Sequence, residues 1–161
     1  MTSTYTICNN ILDLPLNTEV RQIYIWALSL DNKYVLVAKA NQKYHQPGGH
    51  PEAGESINQT IIREMFEETG IELTESDLKD IKFIGYYTVT EDNQTYLQLR
   101  FLLKLSKNST EYNLAPHEKD SEKEEDKIKY VNFFTMEECF EVISWLKIDA
   151  AEEVKSILIN L

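Results

Sequence analysis

Only two cysteines, Cys8 and Cys139, occur in the 161 residues, far apart and in neither a metal-ligand nor a redox spacing. That argues against a disulfide framework or a thiolate metal centre; both read as reduced, packed thiols. Long apolar runs are also missing. The longest, Ile23 to Leu30 and Tyr34 to Ala38, fall far short of the roughly 20 residues that a membrane-spanning helix needs. The first ten residues lack a basic start followed by an apolar stretch, so a cytoplasmic location is the expectation, and the sequons at Asn58, Asn93 and Asn108 carry no weight there. Positive charge is scarce: 16 Lys and Arg stand against 27 Asp and Glu, a formal net charge of −11. No Lys/Arg stripe with interleaved aromatics overcomes that field, which disfavours duplex nucleic acid as a partner. A small phosphorylated ligand could approach only where cations or oriented N–H groups reverse the local potential, and a metal ion would do so. There is no internal repeat.

The length and a 42% apolar content suit one domain with one core, residues 1–161. Arg21 to Leu30 and Lys33 to Ala40 are rich in Val, Ile, Tyr and Trp and flank the turn pair Asp31-Asn32, the pattern of a hairpin. Gln46-Pro47-Gly48-Gly49 then leads into a polar loop up to Glu55, a backbone that something must approach closely. Ser56 and Gln59 form a capping-box pair and Gly70 sits where a left-handed cap would stop a helix, so a helix is predicted over 56–69. Strands are predicted at Lys82 to Thr90, Thr95 to Leu105 and Lys127 to Phe134, about five in all. Helices at Glu137 to Leu146 and Ala150 to Leu161 should cover one face of the sheet. The polar segment 106–126 reads as a flexible loop or a lid. The class is α/β with a mixed sheet.

The chemistry lies between Gly49 and Ile71. At about 100° per residue, Glu64, Glu67 and Glu68 share one arc near the C-terminal half of the predicted helix. Ile61, Met65, Ile62 and Phe66 occupy the adjoining arc and face the sheet, so the acidic edge lies beside the core. Carboxylates this close repel; a divalent cation removes the conflict, and hard oxygen ligands point to Mg²⁺, with Mn²⁺ second. Arg63 can reach Glu67 one turn on or fold back to Glu55, and either contact would orient carboxylates. His50, beside the glycines, reads as an ordinary surface residue.

Gly49, Glu55, Arg63-Glu64-Met65, Glu67-Glu68 and Gly70-Ile71 fill each constrained position of the pattern G-x5-E-x7-R-E-U-x-E-E-x-G-U, U being apolar. In this the chain resembles the Nudix (MutT-like) hydrolases, with Met65 the one mild departure. The resemblance implies an α/β/α sandwich and a metal-dependent hydrolase that cleaves the diphosphate linkage of a nucleoside diphosphate bonded to another moiety. It implies Glu64, Glu67 and Glu68 as metal ligands with a carbonyl of Gly48, and orienting roles for Arg63 and Glu55. The general base is either Glu64 or a carboxylate among Glu118, Glu122, Glu124 and Glu125, with Glu64 favoured. Tyr86 and Tyr87 fall about where dinucleoside polyphosphate hydrolases place a base-stacking tyrosine, but read as strand aromatics. The proline marker of ADP-ribose hydrolases is missing from that stretch. A binding or regulatory domain without hydrolysis is the alternative, and such domains usually lose the metal-site glutamates. An isoprenoid diphosphate isomerase would need a cysteine near the site. The leaving group and the oligomeric state stay open.

Overall fold

The computed structural model describes residues 1–146 and 150–161. Its elements, in order, are β1 (Thr2–Ile7), β2 (Glu19–Leu28), β3 (Tyr34–Ala38), β4 (Tyr44–His45), β5 (Gly48–Gly49), α1 (Ile57–Thr69), β6 (Lys82–Glu91), β7 (Gln94–Lys104), β8 (Tyr130–Phe134), α2 (Met136–Val142) and α3 (Ala151–Asn160). The strands form one mixed sheet in the order β1-β6-β7-β2-β3-β4, with β5 on β2 and β8 on β3. The central pair, β2 with β7, is parallel; β1 with β6, β6 with β7 and β3 with β8 are antiparallel.

Both faces of the sheet are covered, which is why Ile23 to Leu28 of β2, all of β3 and Phe101 to Leu103 of β7 run as continuous apolar stretches rather than alternating with polar residues. Ile23, Ile25, Ala27, Leu99, Phe101 and Leu103 point to one side, where Ile61 and Met65 of α1 close a core. Their neighbours Trp26, Leu28 and Leu102 point to the other, against Cys139, Ile143 and Ile157 from α2, α3 and the segment after α2. Helix on sheet on helices is the expected α/β/α sandwich. Among the described residues no helix is long and apolar enough to cross a membrane.

Several expectations are corrected in detail. Among the described residues the sheet has eight strands rather than about five: β1 and the two-residue strands β4 and β5 add to it. The hairpin at Asp31-Asn32 pairs its strands only at Leu28 with Tyr34, because β2 then turns that edge to β5 and β3 gives the same edge to β4, at Val37 with His45 and Ala38 with Tyr44. The helix expected to reach Leu146 stops at Val142, where Ile143 takes an extended conformation and drops into the core. The strand expected from Lys127 begins at Tyr130, since 124–126 form a 3-10 turn. Segment 106–126 is tied at several points: Leu30 N–H donates to Lys107 O, Asp31 accepts from the backbone and hydroxyl of Ser109, Ala115 N–H donates to Thr69 O and His117 N–H to Glu67 O.

Candidate active site

Helix α1 is set by local signals. Ser56 Oγ accepts from Gln59 N–H and Gln59 Oε1 accepts from Ser56 N–H, which satisfies two donors at the helix start. Gly70, at φ 77°, closes the other end through an N–H donated to Phe66 O. Ile61 and Met65 are fully buried under the sheet, and Ile62 packs against the same core. Phe66 departs from the expectation: it is 36% exposed and stacks on His117 at 4.6 Å, covering the returning segment rather than the sheet.

The acidic edge faces a cavity of about 460 Å³ whose walls include Gly48, Gly49, Glu64, Glu67, Glu68 and Glu118. Glu68 is anchored by Gly48, whose N–H donates to Glu68 Oε2 at 3.1 Å. Gly49 lies so close to Glu64 that a Cβ there would stand 2.5 Å from Oε1, so only glycine leaves that carboxylate its place. Gly48, at φ 149°, is equally constrained, with Ile23 O 2.0 Å from where a Cβ would be.

Arg63 organises the cluster. Its Nε and Nη2 grip both oxygens of Glu55 at 2.7 and 2.9 Å, Nη1 reaches Glu64 at 2.8 Å and Glu67 at 3.2 Å, and Nη2 also donates to His50 O. Both contacts considered for Arg63 are therefore made at once. The guanidinium beside Glu55 holds that carboxyl down at about 2. Burial pushes Glu64 up to about 7 despite the adjacent Arg63, and pushes Glu68 well above the usual carboxylate range, with Glu64 adding repulsion. Glu118 is also raised by burial, and Ile128 N–H fixes its side chain. Such shifts mark groups whose charged form loses more by burial than the neighbouring positive charge restores.

Among the described residues no three acidic, histidine or cysteine side chains are drawn into a finished ion cage; Glu64 and Glu67 lean on Arg63 instead. The donor set nevertheless fits a hard cation, since it is all oxygen, largely desolvated and short of positive charge. Of the four later carboxylates considered as a base, Glu118 and Glu122 line the cavity, whereas Glu124 is exposed and pairs with Lys127 and Lys129. Cys139 is buried in the opposite core, far up the titration scale at about 12, and Cys8 packs at the edge of the α1-side core; neither lines the acidic cavity. Sequence reading missed Lys39 and Lys119, two cations on the cavity wall whose position depends on contacts distant in the chain.

A family model described as NUDIX domain matches residues 20–156. An uncharacterized Nudix hydrolase, YvcI of Bacillus subtilis (strain 168), is 35% identical over 65 residues, which is 40% of this chain and 41% of that protein. Among solved structures, the Bacillus subtilis pyrophosphohydrolase BsRppH superposes with a TM-score of 0.61 at 19% identity, covering 96% of this chain and 92% of its own. The NUDIX domain of Shewanella oneidensis NrtR, complexed with ADP ribose, gives 0.62 at 12% identity over 92% and 96%. A C. elegans Ap4A hydrolase gives 0.53 at 13% identity over 86% and 98%. At these identities the superpositions speak for the fold, and the family model, which spans most of the chain, shows that it belongs to the Nudix hydrolase family.

Proposed function

We propose that the chain, acting as one domain over residues 1–161, is a metal-dependent hydrolase of nucleoside diphosphates linked to another moiety, attacking phosphorus with water. The observation that carries this reading is the set of three glutamates on α1 that face a cavity beside Gly48 and Gly49, held in order by Arg63. Glu64, Glu67, Glu68 and the carbonyl of Gly48 would hold Mg²⁺, or Mn²⁺ in its place. When bound, the ion supplies the positive charge a diphosphate needs and makes water easier to deprotonate.

The chain's own residues supply the rest. Arg63 and Glu55 fix the direction of the glutamate oxygens, an orienting role in which neither touches the reacting atoms. Glu64, whose carboxyl is raised by burial in the metal-free site and lies on the cavity wall, is the favoured acceptor of the proton of the attacking water. Glu118, on the opposite wall, is the other candidate for that proton. Lys119 and Lys39 offset the charge of the phosphate groups at the rim. A binding domain without hydrolysis has no use for two buried carboxylates, Glu64 and Glu68, beside a third at Glu67, and nothing in the site favours that alternative.

A product-resolved screen with Mg²⁺ and Mn²⁺ against nucleoside triphosphates, oxidised nucleotides, dinucleoside polyphosphates and nucleotide sugars tests this. Nucleoside monophosphate should appear among the products, and Glu68→Gln should lower kcat at least a hundredfold. A wholly inactive panel with bound Mg²⁺ would overturn the assignment.

A further inference from the structure

A second cavity, of about 440 Å³, shares Tyr24 and His45 with the acidic one. The Tyr24 ring packs against Gly48, 2.9 Å from where a Cβ would be, and Gly48 in turn holds Glu68. On its other flank lies Arg100 of β7, with the guanidinium carbon 4.7 Å from the Tyr24 ring centre and 4.8 Å from that of Tyr87. Arg100 is only 4% exposed yet lines the cavity.

The donors of Arg100 are unevenly used. Nε donates to Glu153 Oε1 at 2.7 Å, whereas Nη1 reaches Leu99 O at 3.4 Å and Nη2 reaches Gln98 Oε1 at 3.5 Å, both at the limit of a hydrogen bond. Of five N–H groups, two have no partner among the described residues and two more are weakly bound. Glu153 is completely buried and also accepts from Trp26 Nε1, Gln46 Nε2 and Tyr87 Oη at 3.0, 3.0 and 2.9 Å. It is saturated, and it cancels the charge of Arg100.

Three properties of the ligand follow. A donor-only edge must meet acceptors. A guanidinium already neutralised by a buried carboxylate gives little attraction to a phosphate and suits an uncharged acceptor. Walls built from Tyr24, Tyr87, His45 and Trp145 suit a flat ring. Guanine places two acceptors, O6 and N7, side by side on one edge, the pair that an arginine fork matches; adenine sets an amino group beside N7.

We propose that this cavity holds the base of the substrate and that Arg100 reads the O6/N7 edge of a guanine, so that the substrate is a guanine nucleotide. The assignment rests on the hydrolytic reading for the position of the phosphates, over Glu64 and Glu68 on the far side of Tyr24. Arg100 is then a specificity residue. An oxidised guanine with oxygen at C8 carries a hydrogen on N7 and loses half of the acceptor pair.

The test uses the wild-type protein with Mg²⁺ and compares kcat/KM for GTP, ATP, CTP, UTP, 7-deaza-GTP and 8-oxo-GTP. GTP should exceed the others at least tenfold, 7-deaza-GTP included, since it differs only at N7. Equal turnover of GTP and 7-deaza-GTP, or of GTP and ATP, overturns the proposal while leaving hydrolysis intact. Should no nucleotide be hydrolysed, calorimetric binding of GMP, AMP and 7-deaza-GMP decides instead: preferential binding of GMP supports the base pocket although the hydrolytic reading has failed, and equal or undetectable binding overturns it. Arg100→Lys keeps a charge opposite Glu153 but removes the fork, and should bring the GTP-to-ATP ratio to within threefold of one.

Discussion

Replacing Glu64 by glutamine should stabilise the metal-free protein, and only at neutral and higher pH. Glu64 titrates near 4.5 in an unfolded chain and at about 7 when folded. A group raised in this way contributes its full share of stability below pH 4.5 and loses it as pH climbs through 7, because the buried site must then hold a charge whose desolvation Arg63 only partly offsets. A rise from 4.5 to about 7 corresponds to about 3 kcal/mol once both forms are ionised. For a chain of this size that is a shift in Tm of about 10 °C. Glu68 and Glu118 are raised as well and act in the same direction, whereas His45, lowered by burial, acts the opposite way below pH 6.5. Comparing Glu64→Gln with wild type cancels the contribution of His45, while Glu68, relieved of the repulsion from Glu64, adds to the gain of the variant at high pH. In calorimetric scans in EDTA, the two proteins should melt together near pH 4.5, and the variant should melt about 10 °C higher at pH 8.5. Added Mg²⁺ should then raise the Tm of the wild type far more at pH 8.5 than at pH 5.5, since each proton displaced below pH 7 costs a factor of ten per unit in apparent affinity. A pH-independent difference between the two proteins, or an equal Mg²⁺ effect at both pH values, would refute the reasoning.

Two further outcomes test the supports of the site. Gly48→Ala places a methyl group 2.0 Å from Ile23 O in a backbone conformation unsuited to alanine, so it should lower stability by several kcal/mol, read as a reduced midpoint in urea, and disturb Glu68 with it. Glu153→Gln strips the charge opposing Arg100 in a dry interior; a loss of about 3–5 kcal/mol is expected in the same urea titration, without change at Glu64.

How far the sequence led depends on whether the signal was local. Helix α1 was legible from end to end because its start, its stop and its apolar stripe lie within fifteen neighbouring residues, and the same spacing put Glu64, Glu67 and Glu68 on one wall of one cavity. Strand β1 was not: Thr2–Ile7 is polar and half exposed, and its conformation comes from pairing with β6, some eighty residues away. The early parting of β2 from β3 was hidden for another reason: the edges are taken by β4 and β5, two-residue strands too short to carry a strand pattern of their own. Phe66 followed the helical period but met His117, a partner outside any periodic pattern. The union of Arg100 with Glu153 left no trace at all, for an arginine inside an apolar strand reads as a residue turned to water until α3 is docked over it.

Where the chain comes back along the exit of α1, it behaves like a zip with one tooth removed. Ala115 and His117 each donate to a helix carbonyl, at Thr69 and Glu67, and between them stands Pro116, which has no N–H to give. Sliding this stretch by one residue would set the proline against a carbonyl and swing Glu118 away from α1. Changes in chain length within the exposed stretch 120–123 can therefore be absorbed as slack, while the setting of residues 115–118 is locked, and with it the distance between the two opposing acidic walls.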